Sequence, residues 1–188
     1  MALKLPRTIR LDPSDTLVFD RAAEPGEWAA TGSFLFWDTD VAALTGKARA
    51  AFRAGFVGVR SLGFSTLVVV TEARPEERDE AIDALAAHIR ERLGAPSLEA
   101  ARAAAEEEIE FASSLCQPEV NTILAMHRAL ERGEIKEQFR ALRLRDHAAS
   151  GADRLHAHAR AFEFVESEED EEPGERVDLV GIMRSGRA

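Results

Sequence analysis

Apolar positions recur along this chain with two different periods. Thr8 to Leu11 alternates, with Ile9 and Leu11 on one face, which is the period-two signature of a strand. Asp12-Pro13-Ser14-Asp15 is turn chemistry, Thr16 to Phe19 reads as a second short strand, and Glu24-Pro25-Gly26 is another turn. Trp28 to Trp37 alternates for longer. Trp28, Ala30, Gly32, Phe34 and Phe36 share one face and Thr31 and Ser33 the other, as in an antiparallel sheet packed on one side. Leu67-Val68-Val69-Val70 is apolar on both faces and predicts a central strand covered from both sides.

Helical spacing dominates the middle. Asp40 is a good N-cap, and Val41, Leu44, Ala48 and Phe52 follow at helical intervals up to Gly55, with Gly46 as a weak point. Gly55, Gly58 and Gly63 then mark a loop or an irregular strand. Pro75 suits the first turn of a helix, and Glu76 and Glu77 complement the positive end of its dipole. Ile82, Leu85, Ala86, Ile89 and Leu93 form its apolar stripe, and Gly94 closes it. Ser97 caps a second helix through Ile109, Ala112 and Leu115, which Pro118 interrupts. Val120, Ile123, Leu124, His127 and Leu130 predict a third helix ending near Gly133, and Ile135, Phe139 and Leu142 a short fourth. Residues 148–153 read as a loop. Leu155 to Val165 and Val177 to Met183 read as strands of a hairpin whose acidic, exposed loop spans 166–175.

Together these elements predict one α+β domain over residues 1–188. Its mixed, mostly antiparallel sheet would be built from an N-terminal meander, a β-α-β-α unit and the C-terminal hairpin, packed with a helical middle segment.

Charge narrows the partners. With 24 basic and 34 acidic residues, the net charge of −10 repels phosphate backbones and anionic lipid. Arg140, Arg143 and Arg145 cluster mildly, but Asp146 follows at once. Nucleic-acid binding is therefore not expected. No apolar run approaches the length of a bilayer span, and Met1 to Arg10 does not read as a secretory leader. The lone Cys116 excludes an internal disulfide. A cytoplasmic location is the expectation.

Two constellations could carry chemistry. His156 and His158 fall on one face of a strand, where two imidazoles could bind a metal with His147, Asp146 or Asp153 completing the shell. Glu163 makes this look like the first half of the cupin metal motif, but no later His follows, and Glu163 lies on the opposite face of a regular strand. The competing reading is a solvent-facing strand whose histidines are merely polar. Cys116 and His127 could form a nucleophile–base pair, although a thiol at a helix C-terminus is poorly placed to ionise and more often packs as a small apolar group. Glu106, Glu107 and Glu108 are consecutive on a helix, so at most one can face inward; a solvated face with Arg102 paired to Glu106 is the simpler reading. Trp28 and Trp37 read as core or pocket lining, and no phosphate-binding glycine loop is present.

Three stretches, R-T-I-R-L-D-P-S-D from Arg7, A-E-P-G-E-W-A from Ala23 and E-E-E-I-E-F-A-S-S-L-C from Glu106, carry a resemblance to a family of conserved bacterial hypothetical proteins, a domain of unknown function. The resemblance reaches to about His158-Ala159-Arg160-Ala161-Phe162-Glu163 and implies no activity, ligand or cofactor. The function expected is that of a non-catalytic accessory or protein-interaction protein, docking through its acidic loop. Strand edges and an apolar helix stripe would also suit a homodimer. The alternatives are a metal-binding protein or metal-dependent enzyme using the His-x-His strand, and a small-ligand enzyme using the Cys/His pair.

Overall fold

The computed structural model describes residues 2–144 and 164–165. The fold is α+β, with two antiparallel sheets among the described residues. The larger sheet has the order β1 (Lys4–Ile9), β5 (Leu67–Glu72), β6 (Ile123–Glu131), β7 (Glu134–Leu144), β8 (Phe164–Val165). The smaller joins β2 (Ala29–Ala30), β3 (Phe56–Gly58) and β4 (Phe64–Ser65). The helices are α1 (Ser14–Val18), α2 (Gly46–Ala54), α3 (Pro75–Arg92) and α4 (Leu98–Ser114). None of the described helices is long and apolar enough to cross a membrane.

The two long helices form where their signals are strongest. Pro75 opens α3, the Glu77 side chain accepts from the Arg74 backbone N–H, and Ile82, Leu85, Ala86 and Ile89 turn into the core. Leu93 escapes the expected stripe and is half exposed, because the helix has already ended at Arg92. The Ser97 hydroxyl caps α4 by accepting from Ala100 N, and Ala101, Ala105, Ile109 and Ala112 face inward. Small residues on that face let α3 and α4 pack closely, with Arg102 paired to Asp83 and Glu106 to Arg78. The expected Arg102–Glu106 pair is replaced by these two ties across the helices.

Other local expectations give way to tertiary structure. Thr16 to Phe19 is not a strand: α1 covers most of it, and the buried Asp15 carboxylate accepts from Thr66 N and Thr66 Oγ1. The long strand from Trp28 to Trp37 shrinks to β2. Gly32 takes the left-handed conformation (φ +84), and a 3-10 turn, Ser33–Phe36, follows. The helix expected from Asp40 splits at Leu44-Thr45 into a 3-10 turn, capped by Asp40, and α2. In β5, Val68 and Val70 are fully buried but Leu67 and Val69 only partly so, and one face of the strand is more thinly covered than expected. The N-terminal meander is replaced by β1 pairing with β5, from Lys4 opposite Glu72 to Ile9 opposite Leu67.

The largest correction falls on residues 120–142. The predicted third and fourth helices are instead the hairpin β6–β7, in register from Ile123 opposite Leu142 to Glu131 opposite Glu134. The two residues between the strands, Arg132 (φ +52) and Gly133 (φ +84), both take positive φ, as a tight primed turn requires. One face of the hairpin carries Leu124, Met126, Arg128 and Leu130 opposite Ala141, Phe139, Glu137 and Ile135. This face packs onto two apolar clusters. Leu124 and Met126 join Phe56, Val68 and Val70, and Ile135 joins Phe19, Phe36, Ala51 and Phe52.

A buried guanidinium and an exposed aromatic cleft

Arg128 lies in the middle of that apolar ladder and is completely buried. Its guanidinium ties together chain segments far apart in sequence. Nη1 donates to Phe52 O at the end of α2 (2.8 Å), and Nη2 to Thr31 O after β2 (2.5 Å). Nε and Nη2 both reach Glu137 Oε1, at 2.9 and 2.8 Å. Its plane also approaches the rings of Phe36 (5.5 Å) and Phe52 (5.8 Å), within cation–π range. Burial lowers the guanidinium's pKa from its ordinary value; Glu137 and Glu108 oppose this.

Glu108 reaches this centre from α4. Of the three consecutive glutamates it alone turns inward, while Glu106 and Glu107 stay exposed. Its Oε2 is buried and meets no hydrogen-bond partner among the described residues, as does Thr31 Oγ1. Burial, and then the charge of Glu137, raise its carboxyl to about 7, while Arg128 pulls the other way. The buried guanidinium thus pairs directly with Glu137, while the part-buried Glu108 feels its charge without an ion pair to it among the described residues.

On the far side of Phe36 the surface opens into a cleft of about 590 Å³. Phe36, Val41, Leu130 and Ile135 supply its apolar lining, and Trp37, which is 70% exposed, projects at its edge. Asp40 and Glu134 line the rim, Glu134 paired with Lys136 (3.0 Å), and Asp38 and Glu131 adjoin the lining residues Trp37 and Leu130 in sequence. Trp28, by contrast, is buried beneath the guanidinium of Arg7 (4.2 Å).

The sequence-predicted pair is not brought together as a catalytic dyad. Cys116 is buried, donates to Ala112 O (3.6 Å), and has its thiol pushed up to about 12 by burial, with Lys4 working against it. It lines a cavity of about 440 Å³ beside Lys4, whose ammonium already donates to Gln117 O and Pro118 O. His127 points to the opposite face of β6 from Met126, a member of the Cys116 cluster, and lies 3.5 Å from Arg53 Nη2. The candidate metal ligands His147, His156 and His158, with Asp146, Asp153 and Glu163, lie outside the described residues, as does the acidic loop 166–175. No group of three or more potential metal ligands occurs among the described residues.

The molecule is thus an α+β protein with a buried arginine–carboxylate centre beneath an exposed aromatic cleft. The chain belongs to a family of unknown function, DUF6505, whose model matches residues 1–169. No curated protein and no solved structure matches it.

Proposed function

We propose that the chain is a non-catalytic interaction protein that docks a partner segment bearing an apolar anchor flanked by basic residues. The observation that carries this reading is the exposure of Trp37 at the edge of an apolar cleft with an acidic rim. A large aromatic side chain held open at the end of a 3-10 turn is the kind of group that dominates binding energy at interfaces. The carboxylates around it, in a chain of net charge −10, select a basic complement. The burial and raised pKa of Cys116 leave little thiolate at neutral pH for the nucleophilic alternative.

The test is selection of a displayed random peptide library on the immobilised full chain, counter-selected on Trp37→Glu. Peptides with Leu, Phe or Trp beside Lys or Arg should be enriched, bind the variant at least about ten-fold more weakly, and weaken further with added salt. Equal binding to both proteins, or no enrichment of that class, overturns the reading. A wild-type homodimer that Trp37→Glu dissolves would make a second copy the occupant instead. Metal binding at His156 and His158, with His147 completing the shell, is a separate reading that rests on the His-x-His spacing. Unchanged metal content in the double alanine variant would end it.

A further inference from the structure

Past β8 the sequence changes character twice. Seven of the ten residues 166–175 are acidic, with Pro173-Gly174 near their end. Residues 176–187 reverse the balance: Arg176, Arg184 and Arg187 stand against Asp178, around the apolar Val177, Leu179, Val180, Ile182 and Met183. An apolar run with basic flanks is the complement of the Trp37 cleft. The cleft is apolar within, and on or beside its lining Asp38, Asp40, Glu131 and Glu134 outnumber Arg132 and Lys136.

The sheet says where that segment can go. β8 runs antiparallel to β7, with Phe164 opposite Leu144 and Val165 opposite Arg143. The chain therefore leaves Val165 heading back along β7 toward the hairpin turn, the end at which Glu134 and Ile135 line the cleft. Among the described residues β8 alone borders that edge of β7, at Arg143 and Leu144. The strand from Arg143 to Ile135 is about 27 Å long. The connector 166–175 spans up to about 36 Å when extended, enough to bring Arg176 to the cleft with little slack. Its like charges favour extension, and the exposed Lys136 and Arg140 lie on β7 along the same path.

We infer that residues 176–187 are an internal ligand of the Trp37 cleft, competing there with whatever partner the cleft takes. The apolar run covers Trp37 and the lining around it, and the arginines meet the acidic rim. A tethered segment presents itself at an effective concentration of the order of mM, so even a weak intrachain contact lowers the apparent affinity for an outside peptide. This inference rests on the docking site proposed above and adds what controls access to it.

Two experiments on the full chain test it. In the first, Met183→p-benzoylphenylalanine is irradiated and its cross-links are mapped by mass spectrometry. Links within one chain to residues 36–41 or 130–135, with a yield independent of protein concentration, are expected. Absence of such links overturns the inference, whether the label meets another surface, such as the edge of β8, or nothing. Links to the cleft that form only between chains also overturn it and make a second copy the occupant. In the second, a peptide from the Trp37 selection is titrated into the wild type and into Leu179→Asp/Ile182→Asp. The variant should bind it about ten-fold more tightly. Arg184→Glu/Arg187→Glu, which leaves the apolar run intact, should do the same and decides the matter if the first variant aggregates. Equal binding by wild type and variants sinks the internal ligand and leaves the docking site standing. Variants that take up no peptide sink the docking reading, and the cross-links then judge the internal ligand by themselves.

Discussion

Two carboxylates of this protein are drawn out of solvent under opposite conditions. Glu27, just ahead of β2, is fully employed: Oε1 accepts from Glu24 N (2.8 Å), and Oε2 accepts from Ser61 N (2.9 Å) and Arg60 N (3.1 Å). The backbone has been shaped around it, since a Cβ at Gly58 would stand 2.5 Å from Glu27 Oε2. Glu108 has no such cradle. Its buried Oε2 accepts from nothing among the described residues, and Arg128, whose charge acts on it, is bonded to Glu137. The first arrangement fixes a loop. The second leaves a proton as the cheapest way to settle the charge, which makes the group responsive to pH.

The comparison predicts a graded series of effects. The largest belongs to Arg128, on which the Glu108 side depends. Arg128→Met removes the guanidinium and leaves Glu137, Thr31 O and Phe52 O without their donor in a buried setting. A loss of about 3–5 kcal/mol in unfolding free energy is expected from denaturant titration. A loss under about 1 kcal/mol would mean that the apolar ladder of Met126, Leu130 and Phe139 holds the hairpin without its central charge. Glu27→Ala comes next. It strands three backbone N–H groups, each worth about 1 kcal/mol or more when left unpaired, so about 3 kcal/mol should be lost. The damage should be local, with faster amide exchange at Arg60 and Ser61.

Whether either centre could be read beforehand turns on the length of the signal. Helices α3 and α4 announce themselves through Pro75, the Glu76-Glu77 start, the Ser97 cap and long apolar stripes, and both form as expected. The Ile123–Leu130 segment carries apolar residues at nearly every position, so the helix and strand periods fit it equally well. What decides is the turn, and Arg132-Gly133 lacks the Asn or Asp that usually marks a two-residue hairpin. That one ambiguity hid the site. On a helix, positions 128 and 137 differ by nine residues, which places them on opposite sides; in the hairpin they face each other. Glu108 was hidden differently, because three successive glutamates do not reveal which one turns inward. Trp37 was legible as core or pocket lining and does line the cleft, but its exposure was not, because Gly32 breaks the alternation that set its surroundings.

Glu108→Gln has a smaller effect, and its sign depends on pH. The carboxyl's folded pKa is raised from 4.5 to about 7, so the folded state holds the proton more tightly than the unfolded chain. Its stabilising contribution is therefore complete below about 4.5 and is lost as pH rises through about 7. Across that window the wild type should lose up to about 3 kcal/mol from this group. The Gln variant should lack that slope and be the more stable protein at about pH 8 by roughly 1–3 kcal/mol, while matching the wild type near pH 5. Parallel stability curves for the two proteins would show that Glu108 finds a donor after all, and that it belongs with Glu27.

The smallest effect on stability is expected at Trp37, where the same logic moves to the surface. Its side chain is mostly in water, so Trp37→Ala removes little buried contact and should change unfolding free energy by no more than about 0.5 kcal/mol. If the side chain instead held the 3-10 turn against the hairpin, the loss would approach that of a buried aromatic, about 3 kcal/mol or more, and the exposed ring would be a structural strut. A near-silent substitution in the folding assay, set beside a strong one in peptide binding, would separate the two roles. Within one short stretch, Phe36 would serve the core under the guanidinium, and Trp37, its neighbour in sequence, would serve only what arrives from outside.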